Sequence, residues 1–476
     1  MSIKYKLHIL GFILIAYFLS GCKKLVEVDS PVTSITSVDV FNSDATAIAV
    51  LTGLYNQLSN ENFPAPSVSC FSLYGGLSAD EFTLYSGVST PSLIAYYTNT
   101  LSVETGGDEF WNDIYPSIYI CNSAIEGLNS SASLTPAVKQ QLLGEALFMR
   151  GMFYFYLVNL YGDVPLVTGT SFVTNAALPR SPASQVYDSI VADLKGAQTL
   201  LSTNYVDGGV INTTNERVRP NKWAAAALLA RTYLYIDSFA SAETQATSVI
   251  NNSALYSLDT LNGVFLANST EAIWQLQPVN TGLTNTLDAY YFIIPSTGPD
   301  PYTWQVYLNT SLLDSFETGD QRKMNWIDSV VVNGTAYYYP YKYKINEINA
   351  PVTEYLMMLR LGEQYLIRAE ARAQQGNLSG AVADLNTIRA RAGLSGTTAV
   401  SLADLVSAIM HERQVELFTE LGQRWLDLKR TNTINAVMSK ITPQKGGGTW
   451  NTNQQLYPLP IGDIQKDPNL IQNLGY

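Results

Sequence analysis

Apolar positions recur at helical spacing through most of this 476-residue chain, and the pattern is clearest between residues 355 and 430. Leu378, Ala381, Leu385, Ile388 and Ala392 fall on one stripe, which predicts a helix with a single packed face. Gln375-Gly376-Asn377 breaks the pattern just before it, because Gly and Asn readily supply the left-handed residue that ends a helix. Ala369, Ala371 and Ala373 give the preceding helix a small-residue surface that a neighbour can approach closely, so the two read as a helical hairpin. A third helix starts at Ser401-Leu402-Ala403-Asp404, which suits a capping box. The same code occurs earlier. Ala369, Ala381, Leu385 and Ile388 lie at offsets 0, 12, 16 and 19, as do Ala230, Ala242, Ala246 and Val249, within a helical run over 221–250 that breaks near Asp237-Ser238. That small-residue spacing is the one used by tetratricopeptide-type helix pairs.

Further helices are predicted over 44–58 (Ala47, Val50, Leu51, Leu54, Tyr55), from Phe110-Trp111 through Tyr115, Ile118, Tyr119, Asn122 and Ile125, and over 142–161. Phe148, Phe153, Tyr154, Phe155 and Tyr156 crowd the last of these and read as core. Gly162-Asp163-Val164-Pro165 then stops it. The alternation in Tyr337-Tyr338-Tyr339-Pro340-Tyr341-Lys342-Tyr343 predicts a strand, kept in reserve as a binding surface. Residues 63–100 carry Ser, Thr, Gly and Pro around Tyr74, Tyr85, Tyr96 and Tyr97 and read as loop, and Lys445-Gly446-Gly447-Gly448 reads as an exposed loop tip.

The first residues are read separately. Lys4 and Lys6, an apolar run over 7–19 and then Ser20-Gly21-Cys22 describe an export signal over 1–21 that is too short for a comfortable membrane span. Leu19-Ser20-Gly21-Cys22 resembles the bacterial lipobox, which implies cleavage before Cys22 and acylation of that residue, followed by a polar tether over 22–37. Cleavage removes two lysines and no acids, leaving 26 basic against 40 acidic residues, a net charge of −14. A polyphosphate backbone is repelled by such a surface, so nucleic acid is excluded as a partner class. Cys70 and Cys121 either pair or remain two buried thiols.

Catalytic chemistry finds little to work with. His8 and His411 are the two histidines, and His8 leaves with the signal, so no histidine-based triad or multi-histidine metal site can form. Neither a phosphate loop, nor a dinucleotide fingerprint, nor zinc spacing is present, and no cofactor or metal is called for. Asp80-Glu81 and Asp108-Glu109 are adjacent acids near loop-to-helix junctions, where capping is the ordinary role, although a glycosidase needs no more than two carboxylates. Arg360, Glu363, Arg368, Glu370, Glu412, Arg413, Glu416 and Arg424 read as ion pairs of the scaffold, and Trp425 as the dock of the terminal helix.

Thirty tyrosines and seven tryptophans against 14% charged residues favour an uncharged ligand rich in hydroxyls. Sugar rings present flat C–H faces to aromatic rings and need polar partners for their hydroxyls. Two stretches offer both. Residues 79–99 supply Asp80, Glu81, Tyr85, Tyr96, Tyr97 and Asn99, and residues 288–305 supply Tyr290, Tyr291, Phe292, Tyr302, Trp304 and Gln305. Trp304 with one or more of Tyr290, Tyr291 and Tyr302 is expected to form a stacking platform opposed by polar groups of the first stretch.

Fragments in order along the chain resemble the SusD/RagB family of glycan-binding outer-membrane lipoproteins. They are Cys22-Lys23-Lys24 with Val28-Asp29-Ser30-Pro31, Gly144-Glu145-Ala146, 159–166 (NLYGDVPL), Arg219-Pro220-Asn221-Lys222 and Ala227-Leu228-Leu229-Ala230-Arg231. They continue with Leu359-Arg360-Leu361-Gly362-Glu363, 365–371 (YLIRAEA), Asp384-Leu385-Asn386, Glu412-Arg413, Glu416-Leu417, 422–430 (GQRWLDLKR) and the closing Gln472-Asn473-Leu474-Gly475-Tyr476. Gln423 departs from the family, many of whose members have His there. The resemblance implies a mainly α fold with little β: a tetratricopeptide-like scaffold of about four hairpins and an irregular, loop-rich ligand-binding half. It divides the chain into 38–270, an insertion over 271–350, and 351–476. It also implies a non-enzymatic, lipid-anchored protein at the cell surface that captures oligosaccharide or polysaccharide for a SusC-like TonB-dependent transporter. A peptide-capturing member of the family, a helical-repeat adaptor and a secreted glycoside hydrolase are the alternatives.

Overall fold

The computed structural model describes residues 40–59, 69–279 and 284–476; the predicted signal, the tether and Cys22 lie outside them. Helices α1 (Asp44–Ser59), α2 (Ser69–Ser78) and α3 (Pro91–Thr98) precede a series of long helices: α4 (Glu109–Ser130), α5 (Pro136–Tyr161), α6 (Ala183–Leu200), α7 (Lys222–Tyr235) and α8 (Phe239–Ile250). After the 271–350 region come α9 (Leu361–Gln374), α10 (Leu378–Arg391), α11 (Leu402–Glu416), α12 (Gln423–Arg430) and α13 (Ile434–Gln444). From α4 to α10 each long helix packs on the next, α8 meeting α9 across the intervening region, and α11 closes the series against α9 and α10. This is the expected array of hairpins.

Local sequence accounts for the ends. Asn221 accepts from the amides of Trp223 and Ala224 to start α7, Asn377 accepts from Gly380 to start α10, and Ser401 accepts from Asp404 to start α11. Gly376 takes φ +82° between α9 and α10, a conformation a side chain would oppose. The repeated positions Ala230, Ala242, Ala246, Val249, Ala369, Ala381, Leu385 and Ile388 are all fully buried, so the shared spacing is a packing code. The aromatic run of α5 is likewise core.

Two readings change. Residues 63–100 are not simply loop: α2, α3 and strand β1 (Phe82–Leu84) lie within them, α2 too short and too glycine-rich to show a clear period. The turn at 445–448 is exposed only in part: Gly446 and Gly448 face solvent, Gly447 is half-buried and Lys445 is buried. Residues 356–360 form a strand leading into α9. The described residues hold little β structure, all of it antiparallel: β1 with β3 (Val306–Leu308), β2 (Ala272–Leu276) with β6 (Leu356–Arg360), β4 (Ile327–Val332) with β5 (Thr335–Pro340), and a two-residue ladder at Val164–Pro165 and Arg180–Ser181. Cys121 is a free, buried thiol whose pKa burial raises.

The predicted scaffold charges do pair. Arg231 binds Glu363 at 2.7 Å, Arg368 binds Asp384 at 2.7 Å, Arg430 binds Glu370 at 2.6 Å and Arg413 binds Asp427 at 2.7 Å. Gln423 fits this frame by donating to Glu363 at 3.3 Å and accepting from Arg413 at 3.4 Å. Ala381 tests the packing. Ala381→Glu sets an unpaired charge in a sealed helix interface and should destabilise the protein by about 3–5 kcal/mol, seen as a large drop in melting temperature against an unchanged melt for a surface control.

Candidate functional site

The two predicted ligand stretches meet because β1 and β3 pair, with Phe82 opposite Leu308, Thr83 opposite Tyr307 and Leu84 opposite Val306. Tyr85 N–H extends the ladder by donating to Gln305 O at 2.8 Å. Strand alternation then sorts the side chains: Phe82, Leu308 and Val306 are buried, while Thr83 and Tyr307 share the other, half-buried face. Tyr97 of α3 hydrogen-bonds Thr83, and the Tyr337 ring of β5 meets the Tyr307 ring edge-on at 5.2 Å and 84°. The strand held in reserve therefore joins the same face. Burial raises the Tyr97 and Tyr307 hydroxyls above their ordinary range, so both remain neutral donors and acceptors.

The 300–305 turn borders this face. Asp300 Oδ1 accepts from the amides of Tyr302 (2.6 Å) and Thr303 (2.7 Å), and Gln305 Nε2 donates to Pro301 O at 2.9 Å, so the turn is fixed by its own side chains. It presents Tyr302 at 83% exposure, a large ring held outward by a rigid loop. Trp304 is half-buried and anchors the turn by donating its indole N–H to Tyr290 O at 3.1 Å; Tyr290 and Tyr291, also half-buried, stack edge-on at 4.9 Å. Tyr85 is half-buried on the adjoining loop, where a Cβ placed on Gly87 would lie 3.7 Å from Pro301.

Three predicted site residues belong to the interior instead. Asp80 is buried and makes a two-pronged ion pair with Arg424 at 2.8 and 2.7 Å; burial alone would raise its pKa, but the guanidinium outweighs it and holds the carboxyl low. Tyr96 is fully buried and donates to Glu109 at 2.7 Å. Asn99 takes the left-handed conformation that ends α3 (φ 55°), donates to Ser78 O at 2.9 Å and accepts from Thr442 at 2.9 Å. Glu81 is buried as well and accepts from Thr419 N–H at 3.0 Å, so neither acid of the Asp80-Glu81 pair caps a helix. From the first stretch the face receives Thr83, whose Oγ1 accepts from Asn309 Nδ2 at 3.2 Å and hydrogen-bonds Tyr97. Thr83 and Tyr307 were missed by sequence reasoning, although the buried–exposed alternation around Tyr307 carries a weak strand signal.

Among the described residues, Glu317, His411 and Glu412 form one cluster close enough to hold a cation, but Arg389 binds Glu317 at 2.6 Å and Glu412 at 3.2 Å, and Arg322 takes Glu412 at 2.6 Å. Those oxygens are already neutralised, and the site suits no metal.

Comparison with known proteins bears on the family and the fold. A family model described as starch-binding and associating with the outer membrane matches residues 29–234, and the SusD family model matches residues 328–476. The chain belongs to the SusD/RagB family. It is 27% identical to SusD-like protein P2 of Formosa agariphila, over 99% of each chain. The fold is shared with a SusD superfamily protein from Bacteroides vulgatus (TM-score 0.76, 20% identity, 92% of this chain and 100% of that one) and with a laminarin-binding SusD-like protein (TM-score 0.73, 22% identity, 91% and 99%). SusD-like membership supports carbohydrate binding.

Glu81 gives a prediction about the floor of the site. Burial pushes its pKa from 4.5 to about 8, only partly opposed by the Thr419 amide, and its Oε2 has no hydrogen-bond partner. A raised pKa favours the protonated acid in the folded state, so this contribution is present below about pH 4.5 and is lost as pH rises through about 8. Glu81→Gln keeps an acceptor and cannot ionise. Its melting temperature should match the parent's near pH 4.5 and exceed it increasingly up to pH 8.5.

Proposed function

We propose that this SusD-like protein captures a neutral oligosaccharide on the aromatic face formed by Tyr302, Trp304, Tyr85, Tyr97, Tyr307, Tyr337, Tyr290 and Tyr291. The observation that carries this reading is the junction of β1, β3 and β5 with a rigid turn that holds Tyr302 outward. Flat rings offer C–H stacking surfaces and the neutral tyrosine hydroxyls offer hydrogen bonds, while Oδ1 of the nearby Asp300 carboxylate is occupied by two backbone amides. Such a surface suits a polyhydroxy ligand without charge and supplies no acid–base pair for bond cleavage.

The capturing protein is anchored in the outer membrane through acylated Cys22, faces the outside of the cell, and hands its oligosaccharide to a SusC-like TonB-dependent transporter. The family model described as associating with the outer membrane supports this setting. Cys22→Ser should remove labelled fatty acid from the protein and release it from membranes; label retained on the variant would exclude Cys22 as the acylation site.

Calorimetry against starch and laminarin oligosaccharides, after affinity electrophoresis on a wider polysaccharide and peptide panel, tests the face itself. Tyr302→Ala and Trp304→Ala should each weaken binding by about 1–3 kcal/mol, roughly five- to a hundred-fold. Binding should change little between low and moderate salt, because the ligand carries no charge. Unchanged affinity in both variants, with the fold intact by circular dichroism, would move the site elsewhere.

A further inference from the structure

The triple-glycine turn after α13 has no role in the aromatic face as described, yet it is wedged against the segment that carries Tyr97. Lys445 is buried, and its ammonium donates to the carbonyls of Leu77 (2.7 Å), Ser78 (3.2 Å) and Ala79 (2.7 Å), the open C-terminal end of α2. Carbonyls at a helix C-terminus carry partial negative charge, so a cation there closes the helix. The same ammonium lies 5.3 Å from the centroid of the Tyr97 ring. Two residues on, Gly447 approaches α3 so closely that a Cβ would fall 1.8 Å from Thr98 O. Asn99 is gripped by Thr442 from α13 and by Gln454, which donates to its carbonyl at 2.5 Å. Both ends of the 79–99 stretch are thus fixed by the 442–454 segment.

We propose that Lys445 and Gly447 are positioning residues for oligosaccharide binding: the buried ammonium and the side-chain-free turn hold Tyr97 and the 79–99 stretch in the binding geometry before a ligand arrives. The proposal rests on the reading of the aromatic face as the binding site. Fixing a loop in advance removes the ordering cost that binding would otherwise carry. The charge on Lys445 then matters, because a neutral amine loses its attraction for the helix end and for the ring. Burial pulls the Lys445 pKa down to about 7, opposed by the facing Asp80 carboxylate. Arg424 keeps Asp80 ionised, Tyr97 is neutral with its pKa raised, and Glu81, whose pKa is about 8, titrates in the same range. The experiment therefore uses a Glu81→Gln background.

In that background, with and without Lys445→Met, amide exchange protection over residues 79–99 is measured between pH 6 and pH 9 without any glycan. Protection should fall with rising pH when Lys445 is present, and should be low and flat in Lys445→Met. Affinity for soluble starch and laminarin should follow the same profile, weakening by at least about five-fold, through loss of preorganisation. Lys342 and Lys429 also titrate low, but both are common to the two proteins, so the difference isolates Lys445. Gly447→Ala leaves the amine in place and should lower protection and affinity at every pH, retaining the slope. Equal protection in all the proteins overturns the proposal. Protection that follows the expected pattern while neither glucan binds supports the positioning and counts against the reading of the face as the oligosaccharide site.

Discussion

Glu416 at the end of α11 is the charge on which the loop-rich half depends. Its carboxylate meets Arg360 at 2.6 Å and Arg322 at 2.9 Å, both essentially without solvent exposure, and the partly buried Arg391. Burial would raise its pKa, but three guanidiniums outweigh that and hold it far below the usual carboxylate range. Around it Arg360 also takes Glu271 and Glu420, Arg322 takes Asp320 and Glu412, and Lys342 takes Glu420 while lying 4.0 Å from the Phe418 ring centroid. An isolated buried ion costs several kcal/mol, so these charges tolerate no missing member. Asp320, Arg322 and Lys342 flank β4 and β5, whereas Arg391 and Glu416 belong to the hairpin scaffold. The lattice therefore fastens the strand that carries Tyr337 to the helices, and with it one wall of the aromatic face.

The helical half is legible in the sequence because each hairpin is a local statement. Ala369 through Ile388, and Ala230 through Val249, need only their own spacing to report which face is buried. α2 was hidden for the opposite reason: its sequence, SCFSLYGGLS, places two glycines in ten residues, and tertiary contacts with α3 and α12 override that poor propensity. Lys445-Gly446-Gly447-Gly448 misled at Lys445 and Gly447, while Gly446 and Gly448 are exposed as expected. Glycine there permits close approach of backbone to Thr98, an effect that composition does not separate from exposure.

The candidate site was legible in the convergence of two stretches and less so at the level of residues. Both aromatic segments do converge, and Tyr302 and Trp304 lie together on one turn, because aromatic content signals a surface irrespective of pairing. Asp80, Tyr96 and Asn99 failed because their partners, Arg424, Glu109, Ser78 and Thr442, are set by tertiary packing, Arg424 and Thr442 from more than three hundred residues away in sequence. Period-two alternation would have separated Thr83 and Tyr307 from Phe82 and Leu308, but three-residue strands are too short for the period to be read without the register.

That division of labour bears on ligand choice. The acids and bases of 79–99 and of the scaffold are consumed internally, Asp80 by Arg424 and Glu81 by the Thr419 amide, so the groups left facing outward are rings and hydroxyls. Apart from the half-buried Asp300 these groups offer a charged ligand no counter-ion, whereas a sugar would exchange water on its C–H faces for aromatic surface and keep its hydroxyl bonds. Tyr307 and Tyr337 stand at 84° and Tyr290 and Tyr291 at 81°, edges rather than parallel shelves, so no one of these pairs offers an extended flat surface.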